Sequence, residues 1–149
     1  MKLPILLLVL MSCVMVSIAQ EVTVKATTNR KEVESILTKG REEGRINRAF
    51  FDEHDRCREL LGKREFVKAE ASCRTAIVYV EKLPKEHVLE RSGVRATLAL
   101  AVLWQKRPEE AIVLLNRALE IRKTVSDDSD ADTGDLYYLL GQAHGLSND

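Results

Sequence analysis

Small residues recur 42 positions apart in this 149-residue chain, at Cys57, Ala99 and Gly141. The same interval relates Ala69 to Ala111, Cys73 to Leu115, Ala76 to Ala118 and Ile77 to Leu119. A fixed period of this length marks a chain built from stacked supersecondary units, and it restricts the fold before any single element is assigned. Two helices approach closely only where one or both carry little bulk, with larger apolar side chains filling the gaps a turn away. Matched small residues are therefore expected to be helix contact points.

Residues 92–121, SGVRATLALAVLWQKRPEEAIVLLNRALEI, hold the best-formed unit. Leu98, Ala99 and Val102 lie on one face of a first helix, and Ala111, Leu114, Leu115, Ala118 and Leu119 stripe a second at three- and four-residue steps. Pro108 suits a first helical turn, and Glu109 and Glu110 beside it favour the positive end of the helix dipole. The plan repeats upstream. Residues 46–62 carry Phe50, Cys57, Leu60 and Leu61; residues 66–83 carry Phe66, Ala69, Cys73, Ala76, Ile77 and Val80 and stop at Pro84. Residues 63–65 are too few for anything except a tight antiparallel hairpin. A third helix, LYYLLGQAHG, contains Leu140 and Gly141, with Asp132 or Thr133 as its expected cap. Only three Pro occur in the chain, and the reading is all-α.

The N-terminal part is of a different kind. Lys2 precedes an apolar run over 3–16, and Ser17 and Ala19 before Gln20 form a signal-peptidase site, so residues 1–19 read as a cleaved export signal. A retained membrane anchor and a lipidated Cys13 are the alternatives; Met11 and the apolar 14–18 segment fit the lipoprotein pattern poorly. Residues 20–29 are expected to be a flexible leader. Residues 30–45 are expected to be a short helix that carries Val33, Ile36 and Leu37 and is weakened by Gly40 and Gly44. Residues 46–149 form the repeat domain. Secretion, to the medium or a periplasm, with no stable membrane insertion after cleavage, follows from the export reading.

The pattern resembles the tetratricopeptide repeat family, in its 42-residue kinesin light chain-like variant. The resemblance covers about residues 50–146 and rests on Leu98-Ala99 with Val102, then Pro108, Ala111, Leu115 and Ala118-Leu119, and on Tyr137, Leu140-Gly141 and His144. His144 stands where the family usually has Tyr, and Glu53 and Arg56 occupy places where it prefers large apolar residues. The resemblance implies a solenoid of about two full repeats plus terminal capping helices. Its repeat-packing residues would be Ala69, Ala76, Leu98, Ala99, Ala111, Leu115, Ala118, Leu140 and Gly141. It also implies a concave groove, lined by the first helices, that holds a protein or peptide segment.

Ala96, Leu100, Leu103 and Trp104 form a second apolar stripe beside Leu98, Ala99 and Val102. Matching places in the flanking units hold His54, Arg58 and Leu61, and Tyr138, Gln142 and Leu146. The expected groove is thus mixed, with Leu100, Trp104 and Tyr138 supplying area and Arg58 and Gln142 orienting a ligand. Packing under a neighbouring helix is the other reading of the stripe. Cys57 and Cys73, the cysteines left after cleavage, either form a disulfide or stand as buried thiols: Ala69 is the expected neighbour of Cys57, which puts Cys73 about one turn further along.

Other chemistry finds little material. Asp127, Asp128, Asp130 and Asp132 lack the glycine and terminal glutamate of a calcium loop. His54 and Cys57 share a helix face without a second Cys/His pair, so no metal or cofactor is expected. With three His and no nucleophile, phosphate-loop or zinc-hydrolase motif, the chain does not read as an enzyme. Acidic and basic residues balance at 23 each, without a polybasic patch, which argues against nucleic acid. Self-association through Leu140 and Gly141, giving a homo-oligomer, is the alternative to partner binding.

Overall fold

The structure, a computed structural model, describes residues 3–125 and 130–147, with side chains described at 20, 25 and from residue 29 onward within those ranges. The described residues are all-α, without a strand: α1 (Leu3–Gly62), α2 (Phe66–Val80), α3 (Val88–Leu103), α4 (Pro108–Arg122) and α5 (Ala131–Ser147). They divide into two units, Met1–Glu42 and Glu43–Asp149, and the boundary falls inside α1.

Helix α1 is continuous through 20–29, where the sequence suggests a flexible leader, and it passes Gly40 and Gly44 without a break. Glycine costs a helix interior about 1 kcal/mol, which the Lys-, Arg- and Glu-rich neighbours offset. Extending a helix also avoids the cost of nucleating a new one. Val33, Ile36 and Leu37 are exposed. The side chains on which the cleavage and lipidation readings rest, Cys13, Ser17 and Ala19, lie outside the described ones. Among the described residues no helix is long and apolar enough to cross a membrane.

In the second unit α2 packs on α3, α3 on α4 and α4 on α5, with a smaller contact between α3 and α5. The buried set draws on every helix: Phe50 and Cys57 of α1, Ala69, Cys73, Ala76 and Val80 of α2, Val94, Leu98, Ala99 and Val102 of α3, Ala111, Leu115 and Ala118 of α4, and Leu136, Leu140 and Ala143 of α5. Burying a Leu, Val or Phe completely contributes about 1.5–3 kcal/mol. Leu98 and Leu115, each 1% exposed, therefore rank among the residues that hold the unit together.

The 42-residue period is written in the backbone. The turn after α1 has Arg64 at φ 59°, and the turn after α3 has Lys106 at φ 61°. Glu65 N–H donates to Leu60 O and Arg64 N–H to Leu61 O; Arg107 N–H donates to Val102 O and Lys106 N–H to Leu103 O. Each turn is a Schellman closure in which a long cation takes the left-handed position that glycine usually holds. The turns after α2 and α4 match as well: Lys82 donates to Tyr79 O and Leu83 to Val80 O, as Thr124 does to Ile121 O and Val125 to Arg122 O.

Side chains lock the turns. Glu70 of α2 accepts from Arg74 Nε at 2.9 Å, Gln105 Nε2 at 2.8 Å and Arg107 at 2.8 Å, tying α2 to the α3–α4 turn. Burial pushes the Glu70 carboxyl up, and these hydrogen bonds more than reverse it, so its pKa is lowered. A disulfide joins Cys57 to Cys73, whose Cα atoms are 5.3 Å apart. The buried Ser92 hydroxyl donates to Ala118 O at 2.9 Å, fixing α3 to α4.

Two expectations are corrected. Gly141 is exposed, and a Cβ built on it would meet nothing within 4 Å. No helix among the described residues covers that point of α5, so its small size is not needed for packing. Helix α5 begins at Ala131, which makes Asp130 its cap rather than Asp132 or Thr133. The Asp130 carboxylate accepts from the Asp132 backbone and is held below the usual range first of all by its hydrogen bond from Arg122. Asp127 and Asp128 lie outside the described residues.

Candidate functional site

Helix α3 is the floor of the site because it is apolar on two faces. Leu98, Ala99 and Val102 are consumed by the core, which leaves Ala96, Leu100 and Trp104 turned elsewhere, with Leu103 nearly buried between. Leu100, Leu103 and Trp104 of α3 and Gln142, Gly145 and Leu146 of α5 line a cavity of about 480 Å³. Trp104 is 63% exposed and Leu146 57%, unusual for large apolar side chains that face each other across a groove. Gln142 is positioned by donating to the Tyr138 hydroxyl at 2.8 Å.

The groove continues in both directions. Towards α1, Leu61, Gly62, Arg64 and Phe66 join Trp104 around about 370 Å³, and the Phe66 and Trp104 rings stack at 6.1 Å. Trp104 is therefore the ridge between two hollows. In the other direction Leu100 is shared with a cavity of about 290 Å³ between α3 and α5, whose walls are Ser92, Gly93, Ala96 and Thr97 on one side and Asp132, Asp135, Leu136 and Leu139 on the other, with Arg122 at the base.

Of the eight residues read as groove-lining, Leu100, Leu103, Trp104 and Gln142 share one cavity, Leu61 lies across Trp104, and Tyr138 acts through Gln142. His54 and Arg58 do not join them. His54 stacks on Phe50 at 5.5 Å and pairs with Thr97 Oγ1 at 3.0 Å. The Thr97 hydroxyl gives its single proton to Gly93 O at 2.9 Å, so His54 Nε2 carries the hydrogen and donates. Burial, and then the charge of Arg58, lowers the His54 pKa. This histidine pins α1 to α3. Arg58 is exposed, 3.9 Å from Asp55, because its helix turns that position to solvent.

Arg122 and Asp135 are groove residues that the apolar periodicity does not single out. Arg122 stands 42 residues after the buried Val80, so a cation in an apolar register was the available signal. Its Nε donates to Asp130 at 2.7 Å and its Nη2 to Asp132. Asp135 is exposed on the next turn of α5, and nothing in the periodicity distinguishes it from a solvated helix face.

Among the described residues no group of three or more His, Cys, Asp or Glu is placed to hold a metal ion. Compared with protein-family models, with curated proteins and with solved structures, the chain matches none.

Proposed function

We propose that this chain is an exported helical-repeat module of the tetratricopeptide type, and that it binds a protein or peptide segment in the groove floored by α3. The observation that carries the reading is the pairing of exposed Trp104 and Leu146 across an apolar cavity of about 480 Å³ that also takes in Leu100, Leu103 and Gln142. Large apolar groups concentrated in a concave site are the usual anchors of segment recognition. The repeat assignment draws its support from the matched turns at Arg64 and Lys106 and from the sequential packing of α2 on α3, α3 on α4 and α4 on α5.

Selection of a random peptide library on the full chain tests the reading. Enriched peptides should bind the parent and fail on Trp104→Ala and Leu146→Asp variants whose circular dichroism is unchanged. Peptides that bind all three equally would refute the groove. Export is tested separately, by sequencing the N-terminus of protein recovered outside an expressing cell; Gln20 is the expected first residue, and a retained Met1 would contradict cleavage.

A further inference from the structure

The two cavities that meet at Leu100 differ in charge. Around the larger one no charged side chain contributes, whereas the smaller holds Arg122, Asp132 and Asp135. Arg122 is taken up by Asp130 and Asp132, so one cation faces two carboxylates before Asp135 is counted. Asp135 has no ion pair or hydrogen bond among the described residues and projects its charge into a mouth lined by Ala96, Leu100 and Leu139. Across these two cavities the groove is thus apolar beside Trp104 and carries excess negative charge beside Asp135, while Arg64 stands in the further hollow beyond Trp104.

That asymmetry selects a ligand. Resting on the peptide-groove reading, we propose that the occupant is a cationic-apolar peptide. An apolar side chain enters beside Trp104 and Leu146, and a Lys or Arg of the same segment reaches Asp135. The methylene stem of that residue covers Leu100 and Leu139 while its charged head meets the carboxylate. Asp135 and Leu146 are about three helical turns apart on α5, about 16 Å, which an extended chain spans in about five residues. The spacing between anchor and cation in the ligand is therefore about five residues. An acidic peptide would place its charge against an unneutralised carboxylate in a partly enclosed site, which Coulomb repulsion disfavours.

A dodecapeptide phage library, panned at low salt on the full chain and on its Asp135→Asn and Leu146→Asp variants, tests this. The parent should enrich peptides with Lys or Arg about five residues from an apolar anchor. Asp135→Asn should enrich the apolar anchor without the basic bias, and Leu146→Asp should enrich nothing. In one enriched peptide, Lys→Gln should weaken binding to the parent about two- to fivefold, an effect absent on Asp135→Asn and lost in high salt. Apolar peptides with no basic preference, or with an acidic one, would overturn the charge assignment and leave the groove standing. Failure to enrich any peptide on the parent beyond Leu146→Asp would overturn the groove and the ligand class together.

Discussion

Replacing both members of the Cys57–Cys73 disulfide by alanine should cost the second unit about 3 kcal/mol. The two cysteines are 16 residues apart in sequence, and closing a loop of that size removes about 10 cal/mol/K of entropy from the unfolded chain, or about 3 kcal/mol at 25 °C. Both side chains are fully buried, so the truncation adds a packing loss of the same sign. The period offers a sharper comparison. The positions 42 residues further on are Ala99 and Leu115, each 1% exposed, and they are buried without a bridge. The variant Cys57→Ala/Cys73→Leu copies that solution and should recover roughly 1–3 kcal/mol relative to the double alanine variant through the added buried methyl and methylene groups. Guanidinium unfolding followed by circular dichroism measures all three proteins, with the thiol count of the parent established by mass spectrometry. A difference under about 0.5 kcal/mol between parent and double alanine variant would refute the loop argument. A leucine variant no more stable than the alanine one would refute the equivalence of Cys57 and Cys73 with Ala99 and Leu115.

Gly141→Ala should stabilise the fold by about 0.5–1 kcal/mol in the same assay, because the residue is helical and its added Cβ meets open space; destabilisation would mean that the site is closely packed after all. Ala111→Leu, at a fully buried contact between α3 and α4, should cost about 1–3 kcal/mol by overpacking, and an unchanged melt would count against that contact. Stability should also fall with acid in two steps. The folded pKa of His54 lies below its ordinary 6.5, so the unfolded chain binds the extra proton and stability declines as pH drops below 6.5 towards the folded value. Glu70, lowered from 4.5, contributes stability above that pH that is lost as pH falls through its folded value. His54→Gln should flatten the first step and Glu70→Gln the second; steps unchanged by these variants would assign the titration to other groups.

The helices of the second unit were legible because their burial follows period. Ala69, Ala76, Ala99, Ala111, Leu115 and Ala118, which the 42-residue spacing relates, are all buried, as are Leu98 and Leu140, which the resemblance adds. Spacing does not reveal, however, whether another helix packs over a given face. Gly141 occupies the register of Ala99 and is open because no described helix lies over it. Turn chemistry was hidden for a different reason: the left-handed positions belong to Arg64 and Lys106, held there by backbone hydrogen bonds, and neither residue type signals such a conformation. Similarly, His54 shares the face expected of the groove, but its partner Thr97 lies 43 residues away, and only the packing of α1 on α3 brings the two together. Trp104 and Leu100 could be read as candidates because two apolar stripes on one helix exceed what a single partner can cover. Asp135 could not, since its meaning depends on Arg122 being neutralised by Asp130 and Asp132.

Trp104 is the sole tryptophan of the chain and forms the ridge of the groove, so its fluorescence reports on the central claim directly. Titrating the full chain with a tryptophan-free peptide enriched by selection should shift the emission to the blue in a saturable way, with the same midpoint as the calorimetric isotherm, and Leu146→Asp should abolish both signals. Calorimetric binding of that peptide with unchanged Trp104 emission would place the contact elsewhere and contradict the account.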